Sequence, residues 1–565
     1  MKYSKLVELY EKISSTTKRL EKIDYISEFL KELKEEDADS LYLLLGEIYP
    51  DYDDRKIGIS NQLAIKAISR ATGIDEKKVL QQWKKMGDLG KVSENFIKNK
   101  KQTTLQTQTL ATKKIIDNLR KLPELEGQGT VDKKLILITE LLSSASPKES
   151  LYITRTLIGD LRIGIQESTI KSAIAKAFFS DKENSEEIIQ KAIDLSNDLK
   201  KVFLISKNKE LKKLEDVSLE IGKPSKVMLA QKAESIEDAF EKLGKPCVIE
   251  YKYDGFRLII HKKGNLIRLF TRRLEDVTKQ FPEVAEYVKK YVKGDSFILD
   301  SEAIGYDKKT KRYLPFQGIS QRIKRKYDIE KISSELPVEV NVFDILSYDG
   351  KSMVNELFEK RLKLVREIVK NEPYKIVPSK MIISSSEKEA EKFYEKALKD
   401  NQEGVMMKNL KAVYMPGRRV GYMLKIKPEQ RDFDLVITGA EYGTGKRSGW
   451  LSSFTLSCKD KDNFLEVGKM GTGIKEKSEQ GTSFEELTKI IKPLITDEKG
   501  KEVKIKPNIV VSIGYQEIQK SPTYSSGFAL RFPKLTALRP DKPLSEITSL
   551  HEIKREYEKQ KGKGE

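Results

Sequence analysis

Cysteine and histidine are nearly missing from this 565-residue chain, which holds two of each. Cys247 and Cys458 stand far apart, so neither a zinc-ligand spacing nor a disulfide framework can be built. His261 and His551 are too few for histidine acid–base or metal chemistry to be expected, and weight shifts to lysine and carboxylate chemistry. No apolar run reaches the ~18 residues a membrane span needs. The opening Met1-Lys-Tyr-Ser-Lys-Leu-Val-Glu8 has no apolar signal core. A cytoplasmic protein with no membrane partner is the expectation.

Charge of one sign is in excess. Charged residues make up 34% of the chain and hydrophobic ones 38%, with a net charge of +19 and a pI near 9.3. That balance favours a polyanionic partner over a lysine-rich surface kept only for solubility. At about 150 residues per domain the length predicts three or four domains.

The stretch with the most chemistry is Val248-Ile-Glu-Tyr-Lys-Tyr-Asp-Gly-Phe-Arg257. It sets Lys252 on a strand-like run just before the turn signal Asp254-Gly255. An amine among Glu250, Asp254 and Arg257 with apolar neighbours becomes a nucleophile once it sheds its proton, which burial and a nearby cation both favour. A plain β-hairpin with surface charges reads the same way. The whole Glu-Tyr-Lys-Tyr-Asp-Gly-Phe-Arg string, far more specific than its K-x-D-G tetrad, resembles the nucleotidyl-lysine motif of ATP-dependent DNA ligases.

Residues 1–212 read as helix after helix, with three- and four-residue apolar steps from Leu6, Leu9 and Tyr10 to Ile189, Ile193, Ser196, Leu199 and Phe203. Breaks fall at Tyr49-Pro50-Asp51, 126–130 and Ser146-Pro147. The Gly127 and Gly129 loop offers backbone N–H groups ahead of a helix, a usable phosphate seat. Arg162 and Gly164 lie between apolar positions ahead of Ser168 and Thr169, two expected helix caps. On physics alone a packing corner explains this string slightly better than a phosphate contact does. It looks like the helical DNA-binding domain of archaeal and eukaryotic DNA ligases, which implies DNA contacts at Gly127, Gly129, Arg162 and Gly164. The polar stretch 100–108 is an expected loop. Similar archaeal ligases often carry a sliding-clamp box here; Gln102 and Leu105 fit it, but its paired aromatics are missing.

Residues 213–430 alternate β-like and helical runs. Strand patterns are expected over 297–304, 338–346, 403–408 and 422–427, the last with Lys425 and Lys427 on one face by period two. Singly, each is an amphipathic strand. Together they supply what an ATP pocket needs: an aromatic for the base, carboxylates for ribose and metal, and cations for phosphates. In order and spacing these stretches resemble the signature motifs of the ligase catalytic core. The resemblance implies that Lys252 carries the adenylate and Glu250 contacts adenine. Arg257 and Arg272 would reach the ribose and phosphates, and Phe343 would stack on the purine. Glu302 would bind ribose and, with Glu403, metal. Arg419, Lys425 and Lys427 would face phosphates. The family often has Trp where this chain has Tyr422-Met423. The basic run Arg322-Ile-Lys-Arg-Lys326 has no motif counterpart and reads as a solvated face or a nonspecific DNA contact.

Residues 431–565 show short strands at 434–440, 453–457, 464–469 and 508–517, as in a small barrel of OB type. Gly443-Thr-Gly-Lys-Arg-Ser448 fails as a phosphate-binding P-loop, with Ala at 440 and Arg at 447, and reads as a mobile basic loop. Arg531, Arg539, Asp541 and Lys542 resemble the sixth motif of the family, which would engage the ATP pyrophosphate. The tail from Glu558 is expected to be disordered.

The expected architecture is therefore multidomain: an all-α DNA-binding domain, an α+β adenylation (nucleotidyltransferase) domain and an OB-fold β-barrel. It implies an archaeal-type ATP-dependent DNA ligase, similar to eukaryotic replicative enzymes. Such an enzyme seals nicked duplex DNA with ATP and Mg2+ through a lysine–AMP intermediate, in replication, repair and recombination. A cytoplasmic, nucleoid-associated monomer is expected. An RNA ligase or a GTP-using capping guanylyltransferase would keep the lysine but not a helical DNA-binding domain of this size in front. An NAD-dependent ligase would need a four-cysteine zinc module. A non-catalytic DNA-binding scaffold is the alternative from another class.

Overall fold

The computed structural model describes residues 1–100, 109–314, 316–323, 325, 327–428, 432–444, 447, 449–476 and 482–560. Gln102 and Leu105 lie outside them. The chain forms two compact units, Met1–Gln82 with Leu89–Lys427 and Trp83–Asp88 with Pro428–Glu565.

The first part of the larger unit is helical, as its periodicity requires. Its central helix, Pro147–Leu157, is buried at every residue from Glu149 to Leu157. It starts where the sequence breaks: Pro147 stands at the first helical position, and Ser146 and Glu149 form a reciprocal capping box. Two expectations need correcting. Ser168 and Thr169 lie inside the helix Glu167–Phe178, whose N-cap is Gln166 with no side-chain cap bond. The apolar steps over 189–203 belong to two helices, Ser185–Ser196 and Leu199–Lys207, separated where Asn197 turns left-handed at φ 48°.

Two sheets follow. The first takes β1 (Gln231–Lys232), β2 (Cys247–Lys252), β9 (Met381–Ser384), β10 (Gly404–Asn409) and β11 (Met423–Ile426) in the order β1-β11-β10-β2-β9. The second takes β3 (Phe256–Lys263), β4 (Leu266–Thr271), β5 (Ser296–Gly305), β6 (Val338–Tyr348), β7 (Lys351–Ser352) and β8 (Ile376–Pro378). Its order is β4-β3-β5-β6-β7, with β8 parallel to β6. β2 leaves the first sheet and β3 enters the second across residues 253–255 alone, so Lys252 stands at the junction. Each sheet has its own core, Ile249, Val405 and Leu424 under the first and Leu258, Leu299 and Val342 in the second.

The basic run at 322–326 is not a solvated face throughout. Arg322 is completely buried, donating to the Gln280 and Leu336 carbonyls and to Glu283, with its guanidinium 4.3 Å from the Phe281 ring centre. A buried guanidinium is tolerated because its donors are met. Residues 324 and 326 lie outside the described set.

The second unit holds β12 (Phe433–Tyr442), β13 (Leu451–Asp460), β14 (Asn463–Met470), β15 (Ile495–Lys499), β16 (Glu502–Ile505), β17 (Val510–Gly514), β18 (Glu517–Lys520), β19 (Phe528–Arg531) and β20 (Lys534–Leu538). Five of them run in the order β14-β13-β12-β17-β20. A parallel bridge between Thr472 and Lys534 brings the last strand back to the end of β14, so the ring closes in the OB order. The single strand expected over 508–517 is two, β17 and β18. In the loop 443–448, residues 445, 446 and 448 lie outside the described set; Arg447 pairs with Glu476 at 2.6 Å. The helix Leu550–Gln560 includes residues 558–560, where disorder was expected; residues 561–565 lie outside the described set.

Candidate active site

Strand register builds the site. β10 lies antiparallel between β2 and β11. Lys252 is opposite Gly404, Glu250 is opposite Met406, which is opposite Lys425, and Val248 is opposite Lys408, which is opposite Met423. Directly opposed residues and their alternate neighbours share a face. One face therefore carries Glu250, Lys252, Lys408 and Lys425.

Glu403 joins the ends of these strands. Its N–H donates to the Lys252 carbonyl at 2.9 Å. Its Oε2 lies 3.0 Å from Lys252 Nζ and also pairs with Lys427. Burial pushes the Glu403 carboxyl up, but Lys252 and Lys427 outweigh it and hold the pKa below its ordinary value. Lys425 is pulled down, by burial first and then by the like charges of Lys427, Lys252 and Arg419. Two glycines allow this approach. A Cβ on Gly255 would overlap the Ala303 carbonyl, and one on Gly404, at φ 140°, would overlap that of Ile426.

The second sheet supplies Arg257, Glu302 and Phe343. Arg257 and Glu302 are opposite each other on β3 and β5. The Glu302 pKa is pushed up to about 7, by burial first and further by Glu403 and Asp300, against the pull of Lys252 and Arg257. Phe343 is the extra residue of a β-bulge. The register steps from Asp300–Asp344 to Ser301–Val342 and leaves Phe343 unpaired. A bulge re-aims a side chain out of the strict alternation. Its ring centre lies 4.4 Å from Lys408 Nζ and 5.4 Å from the Arg257 guanidinium. Arg272 and Arg419 are exposed and within electrostatic reach of each other.

Several residues of the site were not singled out from the sequence. Asp300, fully buried, accepts from Arg257 Nε at 2.8 Å and from the Tyr414 hydroxyl at 2.8 Å, while Arg257 Nη1 donates to the Met228 carbonyl at 2.8 Å. Glu250, buried, pairs with buried Lys408 and accepts from Ser379 Oγ at 3.0 Å. Asp300 had a signal, being in phase with Glu302 on β5, whereas Lys408, an odd number of positions from Glu403, is out of phase with it. Tyr414 and Ser379 had none. A cavity of about 1080 Å3 lined by Tyr251 and Tyr253 does not reach Lys252, because alternation turns those side chains to the other face of β2.

The remaining candidates belong to other parts of the chain. In the second unit Arg531 pairs with Glu517 at 2.5 Å, Arg539 with Asp541 at 2.9 Å and Asp434 at 3.2 Å, and Lys542 with Asp434. In the helical part Gly127 and Gly129 have positive φ and open space where a Cβ would stand, with Gly129 capping the helix Thr130–Ser144. Arg162, at φ 59°, donates to Asp160 at 2.6 Å, and the Gly164 carbonyl accepts from Lys22 at 2.9 Å.

Known proteins match along the whole chain. Residues 2–175 match the model of the DNA ligase N terminus, 227–427 that of the ATP dependent DNA ligase domain and 447–542 that of the ATP dependent DNA ligase C terminal region. The chain is 46% identical over 566 residues to a DNA ligase of Nanoarchaeum equitans, covering 100% of this chain and 99% of that one. It is 39% identical over 562 residues to a DNA ligase of Thermococcus fumicolans, covering 99% and 98%. A solved chain named Pmar-Lig_PreS3 superposes with a TM-score of 0.59 over 94% of this chain and 99% of its own; at 18% identity this likeness shows the fold alone. With all three family regions in order and full-length relatives at this identity, the chain belongs to the ATP-dependent DNA ligases.

Proposed function

We propose that Lys252 carries the adenylate in the ATP-dependent nick sealing of this chain. Its Nζ attacks the ATP α-phosphorus, a P–N bond forms, the bond to the β-phosphate breaks and pyrophosphate leaves with the electron pair. The 5′-phosphate at the nick then takes the AMP from Lys252. The 3′-hydroxyl attacks that phosphate, the strand closes and AMP leaves. The observation that carries this reading is the common face on which Lys252, Glu250 and Lys425 stand, with Glu403 bridging Lys252 and Lys427.

The other roles are those that the family resemblance implies. Glu250 and Phe343 hold the adenine. Arg257, fixed by Asp300, and Glu302 hold the ribose. Arg272, Arg419, Lys425 and Lys427 neutralise the phosphates, and Arg531, Arg539 and Lys542 engage the pyrophosphate, with Asp541 paired to Arg539. Among the described residues no group of three carboxylate, His or Cys side chains would hold a metal alone. Mg2+ is bound by one or two carboxylates plus substrate phosphates, and Glu302 and Glu403 stand within electrostatic reach of each other. Glu302 and Glu403 would hold it, and it would supply charge neutralisation at the phosphates. Domains divide at 1–212, 213–430 and 431–565. The helical domain grips DNA phosphates through Gly127, Gly129, Arg162 and Gly164. The enzyme acts as a monomer at the nucleoid, in replication, repair and recombination. A clamp partner would have to dispense with the aromatics missing near Gln102.

The test is incubation with α-labelled ATP and Mg2+. Label should become covalently attached to the wild type and be absent from Lys252→Ala. An adduct that survives the substitution refutes the assignment.

A further inference from the structure

We propose that Lys408 determines the choice of nucleotide, by holding Glu250 as an acceptor-only carboxylate that admits adenine and rejects guanine. This rests on the reading of Glu250 as the base contact.

Register orders the face. The reacting phosphate must sit at Lys252, so the base lies toward the rows of Glu250 and Lys408, where Phe343 also stands. At that end Lys408 is 4% exposed and pairs with Glu250 Oε1. Its Nζ otherwise faces aromatic rings, 4.4 Å from the Phe343 centre and 5.1 Å from that of Phe358. Ser379 donates to Glu250 Oε2. Each carboxylate oxygen has two lone pairs, so one acceptor site is left on each. Adenine presents its N6 amine, a donor, where guanine presents O6, an acceptor. An ionised Glu250 matches the first and repels the second.

Burial raises the Glu250 pKa above its ordinary value, and the charge and hydrogen bond of Lys408, with the Ser379 hydroxyl, offset part of that rise. Without Lys408 the group takes up a proton and becomes a donor, which suits O6. The other charged and titratable groups around Glu250 are Asp344 on β6 with its partner Arg361, Lys425 on β11, and Lys252 and Tyr253 next along the chain.

The experiment compares covalent labelling by α-labelled ATP and GTP in the full-length wild type, Lys408→Met, Lys408→Arg, Glu250→Gln and the double variant Lys408→Met/Glu250→Gln, across pH. The wild type should favour ATP. In Lys408→Met the ATP:GTP ratio should fall by about 10- to 100-fold near neutral pH and recover as rising pH ionises Glu250. Lys408→Arg should keep the ratio. Glu250→Gln should lose it at every pH. A wild-type ratio in Lys408→Met, with the ratio lost in Glu250→Gln, overturns the role of Lys408 and leaves the Glu250 reading standing. A ratio retained in Glu250→Gln overturns both. If Lys408→Met does not fold, Lys408→Gln, which keeps a hydrogen-bond donor without the charge, decides: the ratio should fall there too, and a wild-type ratio overturns the role of Lys408, while the double variant should match Glu250→Gln.

Discussion

At the residue scale, the site works by giving like side chains unlike surroundings. Glu302 and Glu403 are both half-buried carboxyls. Burial pushes both up; at Glu403 the paired Lys252 and Lys427 outweigh it and hold the carboxyl below its ordinary value, whereas at Glu302 Lys252 and Arg257 do not, and Glu403 and Asp300 add to a rise to about 7. A carboxyl whose folded pKa exceeds its unfolded one stabilises the fold fully below the unfolded pKa, and that stability is lost as pH rises through the folded pKa. Thermal stability of the nucleotide-free wild type should therefore fall relative to Glu302→Gln between about pH 5 and pH 8, as read from melting curves of the two proteins. Equal curves would mean that Glu302 titrates normally. Phe343 makes a separate prediction. Base–aromatic stacking is worth about 1–3 kcal/mol, so Phe343→Ala should raise the ATP concentration needed for labelling by that equivalent and leave nicked-duplex binding unchanged. Unaltered labelling would make the ring a core residue only.

At the element scale, the strand ends matter more than the strands. β10 starts at Gly404 because the Ile426 carbonyl leaves no room for a Cβ and φ is 140°. Gly404→Ala must push β10 from β11, and with it Glu403 from Lys427. A cost of about 1–3 kcal/mol is expected from strain of this kind, together with slower adduct formation. Gly129→Ala meets no atom within 4 Å and bears only its positive φ. Denaturation and labelling of the two variants side by side give the contrast, and equal behaviour would remove the steric account of Gly404. β5 and β11 were legible in the sequence because polar residues recur in them at alternate positions, and β2, β6 and β10 as short apolar-rich runs, which fits strands buried on both faces. The bulge at Phe343 was not, because an extra residue in one strand leaves no mark on that strand's own pattern.

At the scale of the whole molecule, the helical part of the larger unit and the part that bears its two sheets meet through charges. Lys226 pairs with Asp51 at 2.9 Å and Glu167 at 2.7 Å, and Arg418 with Asp194 at 3.4 Å. The pocket itself uses residues after 213 alone. A chain starting near Lys213 should still label Lys252 but seal nicks poorly. Its DNA affinity should show a smaller salt slope, by about 0.9 for each DNA phosphate it no longer neutralises. Labelling and nick sealing over a salt series, on full-length and shortened protein, measure this. Equal sealing at moderate salt would return Gly127, Gly129, Arg162 and Gly164 to packing roles.

By itself the sequence determined the chemistry and its order along the chain. Lys252 in its string, the run of motif stretches, the helical first third and the excess of positive charge are local or compositional, and local patterns survive without a fold. Tertiary structure decided which groups are paired. Ser379 reaches Glu250 from 129 positions away and Tyr414 reaches Asp300 from 114. Arg322, in a run that looked solvated, is buried against Phe281. Lys408 was written in the sequence beside Glu403, yet only the pairing of β10 with β2 turns it into the partner of Glu250. Register between distant strands is set by the packing of both sheet faces, and no stretch of either strand carries that information alone.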